Sequence, residues 1–75
     1  MIPYQDIDGD SGVQAYECGE TWIQVRFGTG AVYEYTYASA GSAHIETMKQ
    51  LARQGDGLNA YINRNVKKAY SRRLV

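Results

Sequence analysis

The fold is decided by residues 22–37, which read WIQVRFGTGAVYEYTY. In the first six residues, apolar Ile23, Val25 and Phe27 alternate with polar neighbours, which is the pattern of a strand with one buried face. The glycines of residues 28–30 allow a tight turn. Residues 31–37 then form a second alternating run with tyrosines on one face. The stretch therefore predicts an antiparallel hairpin.

A further strand precedes this hairpin, and two helices follow it. Val13, Ala15 and Tyr16 lead to a turn at residues 19–20, so short turns join three strands in a meander. Ser39 or Ser42 can cap a first helix that Gly55 closes. A second helix begins at Asp56 or Gly57. The apolar positions of the two helices are Ile45, Met48, Leu51 and Ala52, then Leu58, Ile62, Val66 and Ala69.

These elements predict an α+β domain in the order β-β-β-α-α. A three-stranded antiparallel β-meander is followed by two α-helices packed on one face, which hides both apolar surfaces. We expect a flexible acidic lead-in over residues 1–10 and a single domain over residues 11–75, because 75 residues are about half of the ~150 usual for one domain.

The composition predicts a cytoplasmic domain. Cys18 is the single cysteine, so the chain cannot form the intramolecular disulfides that small secreted domains usually need. Residues 1–12 lack the apolar run of a signal peptide, and no apolar stretch is long enough to span a membrane. We expect no membrane partner.

The residue inventory predicts a binding protein and not an enzyme. His44 is the single histidine, and catalysis would require it to lie beside Cys18, a serine or a carboxylate in a pocket. Cys18 is expected to be a small apolar filler near a strand end. We expect no catalytic residue, no cofactor and no small-molecule substrate.

Residues 6–17, DIDGDSGVQAYE, partly match a calcium-binding loop. Asp6, Asp8, Asp10 and Glu17 occupy positions 1, 3, 5 and 12 of such a loop, but Ser11 stands where the sharp turn needs glycine. Too few residues precede the loop for an incoming helix. We favour a solvated acidic segment over a metal site.

The charge is unevenly distributed although the net charge is zero. Six acidic residues and one basic residue lie in residues 1–37, whereas seven basic and two acidic residues lie in residues 38–75. Arg64, Lys68 and Arg72 form one helical stripe if the second helix runs that far. A basic stripe beside Tyr70 suits a sugar–phosphate backbone, and a solvated helix end explains it equally well.

The tyrosines at positions 33, 35 and 37 allow two interpretations. An exposed row of rings on a sheet can stack the bases of single-stranded nucleic acid. If the row shares the face of Ile23, Val25 and Phe27, it belongs to the core. We favour the core, because small domains rarely expose a large apolar patch.

The joint spacing of several positions resembles the KTSC domain, a family named for its occurrence at the C-terminus of lysyl-tRNA synthetases and found also as free-standing small proteins. The front half is Ser11, Val13 and then Ile23-x-Val25-x-Phe27-x-x-Gly30-x-x-Tyr33-x-Tyr35. The back half is Gly57 followed by Tyr61-Ile62-Asn63-x-x-Val66-x-x-x-Tyr70. The family's usual Val-Pro and Ser-x-Gly are replaced by Tyr37-Ala38-Ser39 and Gly55-Asp56-Gly57, and one extra residue precedes the aromatic.

This resemblance implies no enzymatic activity and a role related to nucleic acid. We therefore expect a non-catalytic accessory domain that contacts RNA, either tRNA or a single strand. The expected contact residues are Arg64, Lys67, Lys68, Tyr70, Arg72 and Arg73, and the matched family positions are Phe27, Gly30, Tyr33, Tyr35, Gly57, Tyr61, Asn63, Val66 and Tyr70. The alternative is a protein-interaction module that docks a partner around Trp22 or forms a homodimer through a sheet edge.

Overall fold

A small α+β architecture with an antiparallel sheet is present in the computed structural model, which describes residues 1–5 and 12–75. Within these residues the strands are β1 (Ile2–Pro3), β2 (Val13–Cys18), β3 (Trp22–Phe27), β4 (Val32–Thr36) and β5 (Arg72–Arg73). The helices are α1 (Tyr37–Ala40), α2 (Ser42–Gln54) and α3 (Leu58–Tyr61), and α3 continues into a single π-helical turn, Ile62–Val66. The strand order β1-β2-β3-β4-β5 makes the sheet a meander.

The predicted α+β class is therefore confirmed, whereas the predicted element count is only approximate. Strands β2, β3 and β4 correspond to the three predicted strands. The sheet gains β1 and β5, which have only two residues each and so carry no readable alternation. The predicted lead-in also differs in its described part, since Ile2–Pro3 pair with β2 and the Tyr4 side chain is buried.

The core lies between one sheet face and the helices. Ile23 pairs with Tyr35 and Val25 with Tyr33, so the alternating residues of β3 and β4 share this face as predicted. A register shift between Val13 and Ala15 allows β2 to direct both Val13 and Tyr16 to it. The buried core residues are Tyr4, Val13, Tyr16, Ile23, Val25, Tyr35, Ile45, Met48, Ala52, Leu58, Ile62 and Val66.

The helix boundaries follow local hydrogen-bonding chemistry. Ser39 does not cap a helix as its first residue. It is the third residue of α1 in a capping box with Thr36, in which the Ser39 backbone N–H donates to the Thr36 hydroxyl and the Ser39 hydroxyl accepts from the Thr36 N–H. Gly55 ends α2 in the left-handed conformation, as predicted (φ 75°). Leu58, Ile62 and Val66 are buried at the predicted spacing of four residues.

The second predicted helix changes to a π turn where the Asn65 side chain bonds the backbone. The Asn65 side-chain amide donates to the Tyr61 carbonyl oxygen at 3.2 Å, which is the oxygen its backbone N–H would bond in an α-helix. The chain widens there into the π turn Ile62–Val66 and leaves the helix at Lys67–Lys68. Single π turns are rare in proteins and are frequent at functional sites.

No helix among the described residues has both the length and the apolar character that crossing a bilayer requires.

Candidate functional site

The basic C-terminal residues do not form the predicted helical stripe. The π turn ends at Val66, and residues 72–73 form the edge strand β5 against β4. Arg64 and Lys68 are exposed on the π turn and just beyond it, whereas Arg72 belongs to the sheet. The stripe of Arg64, Lys68 and Arg72 is therefore wrong, because a helix that stops at residue 66 cannot align them.

Strand β5 separates its two arginines onto opposite sheet faces. Arg73 pairs with Tyr33 and Arg72 with Glu34, and neighbouring residues of a strand point to opposite faces. The Arg73 guanidinium carbon lies 5.7 Å from the centre of the Tyr33 ring, close enough for a cation–π contact. Its Nε also donates to the Val75 carbonyl oxygen at 2.7 Å. Arg73 therefore stays on the tyrosine side of the sheet.

On the reverse face, Arg72 is held in a polar cluster around Glu34. Its Nε donates to Glu34 Oε2 at 3.1 Å, Gln24 Nε2 donates to Glu34 Oε1 at 3.0 Å, and the Ser71 hydroxyl donates to the Glu34 backbone oxygen at 3.1 Å. The Gln24 hydrogen bond, followed by Arg72 and Ser71, lowers the pKa of Glu34 below its usual value. Arg72 therefore anchors β5 and does not face the same side as Arg73.

A pocket of about 230 Å³ opens on the face that carries Arg73. It lies where β3 and β4, the π turn and the segment before β5 meet. Its walls are mainly aromatic, and an amide and an ammonium group complete them. The lining residues are Phe27, Tyr33, Tyr35, Ile62, Asn63, Lys67 and Tyr70.

The aromatic walls are packed edge to face. The Tyr33 and Phe27 ring centres are 5.8 Å apart at 69°, and the Tyr35 and Tyr70 rings are 6.5 Å apart at 89°. Tyr70 tilts over Tyr33 at 4.7 Å and 52°, and remains 41% exposed. Each ring thus packs against another, and together they define the shape of the pocket while the segment of Tyr70 is docked on the sheet.

Tyr35 brings a polar group to the pocket. The residue is only 1% exposed, yet no group in residues 1–5 or 12–75 forms a hydrogen bond with its hydroxyl, and that oxygen is not sealed from solvent. Burial raises the pKa of Tyr35 to about 12, and Tyr33 and Tyr70 add to the rise. The hydroxyl is therefore protonated at neutral pH and can both donate and accept.

The predicted tyrosine row is divided between three environments. Tyr35 is in the core, as we favoured for the whole row, and Tyr33 is half-buried in the pocket wall. Tyr37 lies outside β4, begins α1, and donates a hydrogen bond to Glu46 Oε2 at 2.6 Å. That hydrogen bond raises the pKa of the exposed Tyr37 phenol. The row is therefore neither a continuous platform nor entirely core.

The other candidate residues, His44, Cys18 and Trp22, lie outside the lining of the pocket. His44 is half-buried in the first turn of α2, where its Nδ1 and the Tyr61 hydroxyl are hydrogen-bonded at 2.6 Å. Cys18 ends β2, and partial burial raises the pKa of its thiol. Trp22 is half-buried with its indole over Gly19, which leaves no room for a side chain there. The structure does not place His44 and Cys18 in the aromatic pocket.

The acidic stretch of the possible calcium loop falls mostly outside the described residues. Asp6, Asp8, Asp10 and Ser11 are not described, and Glu17 lies on β2. Among residues 1–5 and 12–75, no three histidine, cysteine or acidic side chains lie together as a metal would require.

The remaining positions of the KTSC-like pattern lie outside the pocket lining. Val66 is buried in the core, and the Tyr61 hydroxyl is hydrogen-bonded to His44. Gly30 and Gly57 both have positive φ angles, 92° and 83°, that other residues rarely adopt. The pocket itself contains Phe27, Tyr33, Tyr35, Asn63 and Tyr70 from the same pattern. The spacing pattern therefore includes most of the residues that line the pocket, although the apolar periodicity assigned Phe27 and Ile62 to the core alone.

Comparison with known proteins matched no family model, no curated protein and no solved structure.

Proposed function

We propose that this chain is a non-catalytic accessory domain that binds single-stranded RNA on the face that contains the aromatic pocket. The main support for this proposal is that aromatic rings and two cations lie on the same face: Lys67 lines the pocket and Arg73 lies over the Tyr33 ring. Proteins that bind single strands combine stacking rings with positive groups that follow the backbone. A cytoplasmic location and kinship with the KTSC domain are parts of the same proposal.

The arrangement also revises which basic residues contact RNA. Lys67 makes no ion pair within the described residues, so its charge is free to meet a phosphate. Arg72 is already paired with Glu34 on the reverse face. We assign the contact to Lys67 and Arg73 with Tyr70, leave Arg64 and Lys68 as flanking cations, and omit Arg72.

The test compares two charge reversals that change the net charge equally. Lys67→Glu changes a residue of the pocket. Arg53→Glu changes a residue of α2 that lies outside the pocket lining, where its charge acts on Cys18 at the end of β2. We expect Lys67→Glu to weaken binding of a twelve-nucleotide RNA strand at least tenfold at low salt. Losing one phosphate contact should also reduce the slope of log K against log salt by about 0.7.

Two results would refute the proposal. Equal weakening by Arg53→Glu would mean that net charge alone governs binding. No binding of any RNA at low salt would also reject it, and a dimer in sedimentation would then favour the protein-interaction alternative.

A further inference from the structure

We infer that the pocket receives one unstacked RNA base and reads its edge through the Tyr35 hydroxyl. This inference rests on the proposed function, because it names the part of the RNA that enters the site. Tyr35 is only 1% exposed as a residue, yet its hydroxyl oxygen is accessible to solvent and forms no hydrogen bond with any described group. The missing partner can be supplied by a ligand in the pocket that Tyr35 lines.

The dimensions suit one base. The volume of about 230 Å³ is below the ~300–1,000 Å³ typical of pockets for drug-sized ligands. A single planar ring system fits within this volume, whereas a whole nucleotide would have to leave its sugar and phosphate outside.

The walls suit a flat aromatic guest. Tyr33 and Tyr70 are tilted by 52° with ring centres 4.7 Å apart, so neither covers the other completely. Tyr70 is 41% exposed and offers a free ring surface at the mouth. Stacking on such rings occurs with every base and therefore supplies affinity without selectivity.

Selectivity must then come from the polar groups. The Tyr35 hydroxyl can donate one hydrogen bond and accept another, and the Asn63 side-chain amide can do the same from the exposed side of the pocket. Sequence-specific recognition of RNA uses hydrogen bonds of this kind to the edges of bases splayed out of the strand. Lys67 also lines the pocket, so its ammonium group can contact the phosphate of the nucleotide whose base enters.

The closing experiment uses strands that differ only in whether a base is present. Five-unit ribose–phosphate strands carry one base at the centre, in four versions, and a fifth strand carries none. Binding of each to the full chain is measured at low salt. We expect at least one base to bind about tenfold more tightly than the abasic strand, which corresponds to 1.4 kcal/mol.

Tyr35→Phe tests whether the Tyr35 hydroxyl recognises the edge of the base. The substitution removes an oxygen that bonds no described group, so we expect the urea midpoint of unfolding to stay unchanged. The differences among the four bases should shrink at least threefold, while binding of the abasic strand stays the same. Tyr37→Phe is the matched control, because it removes a tyrosine hydroxyl that bonds Glu46 outside the pocket. Tyr70→Ala removes the exposed wall and should weaken all four base-bearing strands alike.

The outcomes separate this inference from the proposed function. If longer RNA binds but every base-bearing strand binds like the abasic one, the pocket does not take a base and the proposed function stands. If the bases are distinguished equally well by Tyr35→Phe, the assigned reading group is wrong. If no RNA binds at all, both the pocket inference and the proposed function are rejected.

Discussion

Removing the hydroxyl of Tyr4 should destabilise the domain measurably. The Leu58 backbone N–H donates to this hydroxyl at 3.2 Å across 54 residues of sequence, and Leu58 is fully buried. Gly57 precedes α3 and has no side chain with which to cap it. In Tyr4→Phe the Leu58 N–H therefore loses this acceptor in a place that water cannot easily reach.

The expected cost is about 1–2 kcal/mol. Leaving a buried donor unsatisfied costs ~1–3 kcal/mol, and a separation of 3.2 Å is at the long end for an N–H···O bond, which favours the lower part of that range. Urea unfolding followed by Trp22 fluorescence gives the free energy of unfolding and its slope. We expect a lower midpoint with an unchanged slope.

Tyr37→Phe is the matched control for this measurement. Its hydroxyl also makes a hydrogen bond, to Glu46, but on the surface, where water can replace it. The control should change stability by less than about 0.5 kcal/mol. If Tyr4→Phe costs no more than Tyr37→Phe, the hydrogen bond from Leu58 to the Tyr4 hydroxyl does not stabilise the fold.

Three further predictions concern packing and pH. Gly19→Ala drives a methyl group into the indole of Trp22, so the tryptophan emission should shift and about 1–3 kcal/mol of stability should be lost. In the control Gly28→Ala the new methyl group lies 3.6 Å from the nearest atom, so emission and stability should stay unchanged. The pKa of Glu34 is lowered in the fold, so its stabilisation is complete above the unfolded value of 4.5 and is lost as the pH falls through the folded value; Glu34→Gln should flatten this part of an acid unfolding curve. The pKa of Tyr35 is raised from 10 to about 12, so stability should fall as the pH rises between these values, and Tyr35→Phe should remove that fall.

The sequence predicted those elements of the fold that have a long enough pattern. Strand β3 alternates over six residues, and the apolar positions of α2 recur from Ile45 to Ala52. Both elements lie where these patterns predicted them. The two-residue strands β1 and β5 have no such pattern, because their places depend on hydrogen bonds to β2 and β4. Long-range pairing of this kind leaves no local signal.

The candidate site was predicted in part, for a related reason. Lys67, Tyr70 and Arg73 were predicted from the basic cluster at the end of the chain and, for Tyr70, also from the KTSC-like spacing; Lys67 and Tyr70 line the pocket and Arg73 lies over its wall residue Tyr33. The assignment of Arg72 to the same surface depended on a helix that changes to a π turn at Asn65. A side-chain hydrogen bond that replaces a backbone one is invisible to apolar periodicity, so no count of charges could have separated the two adjacent arginines.

The position of β5 makes the pocket dependent on a small amount of sheet. Tyr70 and Arg73 lie on either side of Arg72. This segment is connected to β4 by two paired residues, the Arg72–Glu34 contact, the hydrogen bonds from Ser71 to the Glu34 backbone oxygen, and the contacts of Tyr70 and Arg73 with Tyr33. An edge strand of two residues can open at lower cost than the central strands while the core stays folded. The apparent affinity of any ligand is then its intrinsic affinity scaled by the fraction of molecules in which β5 is docked. Binding strength at the pocket can therefore be adjusted from the opposite face of the sheet, at Gln24 or Glu34, by residues that never touch the ligand.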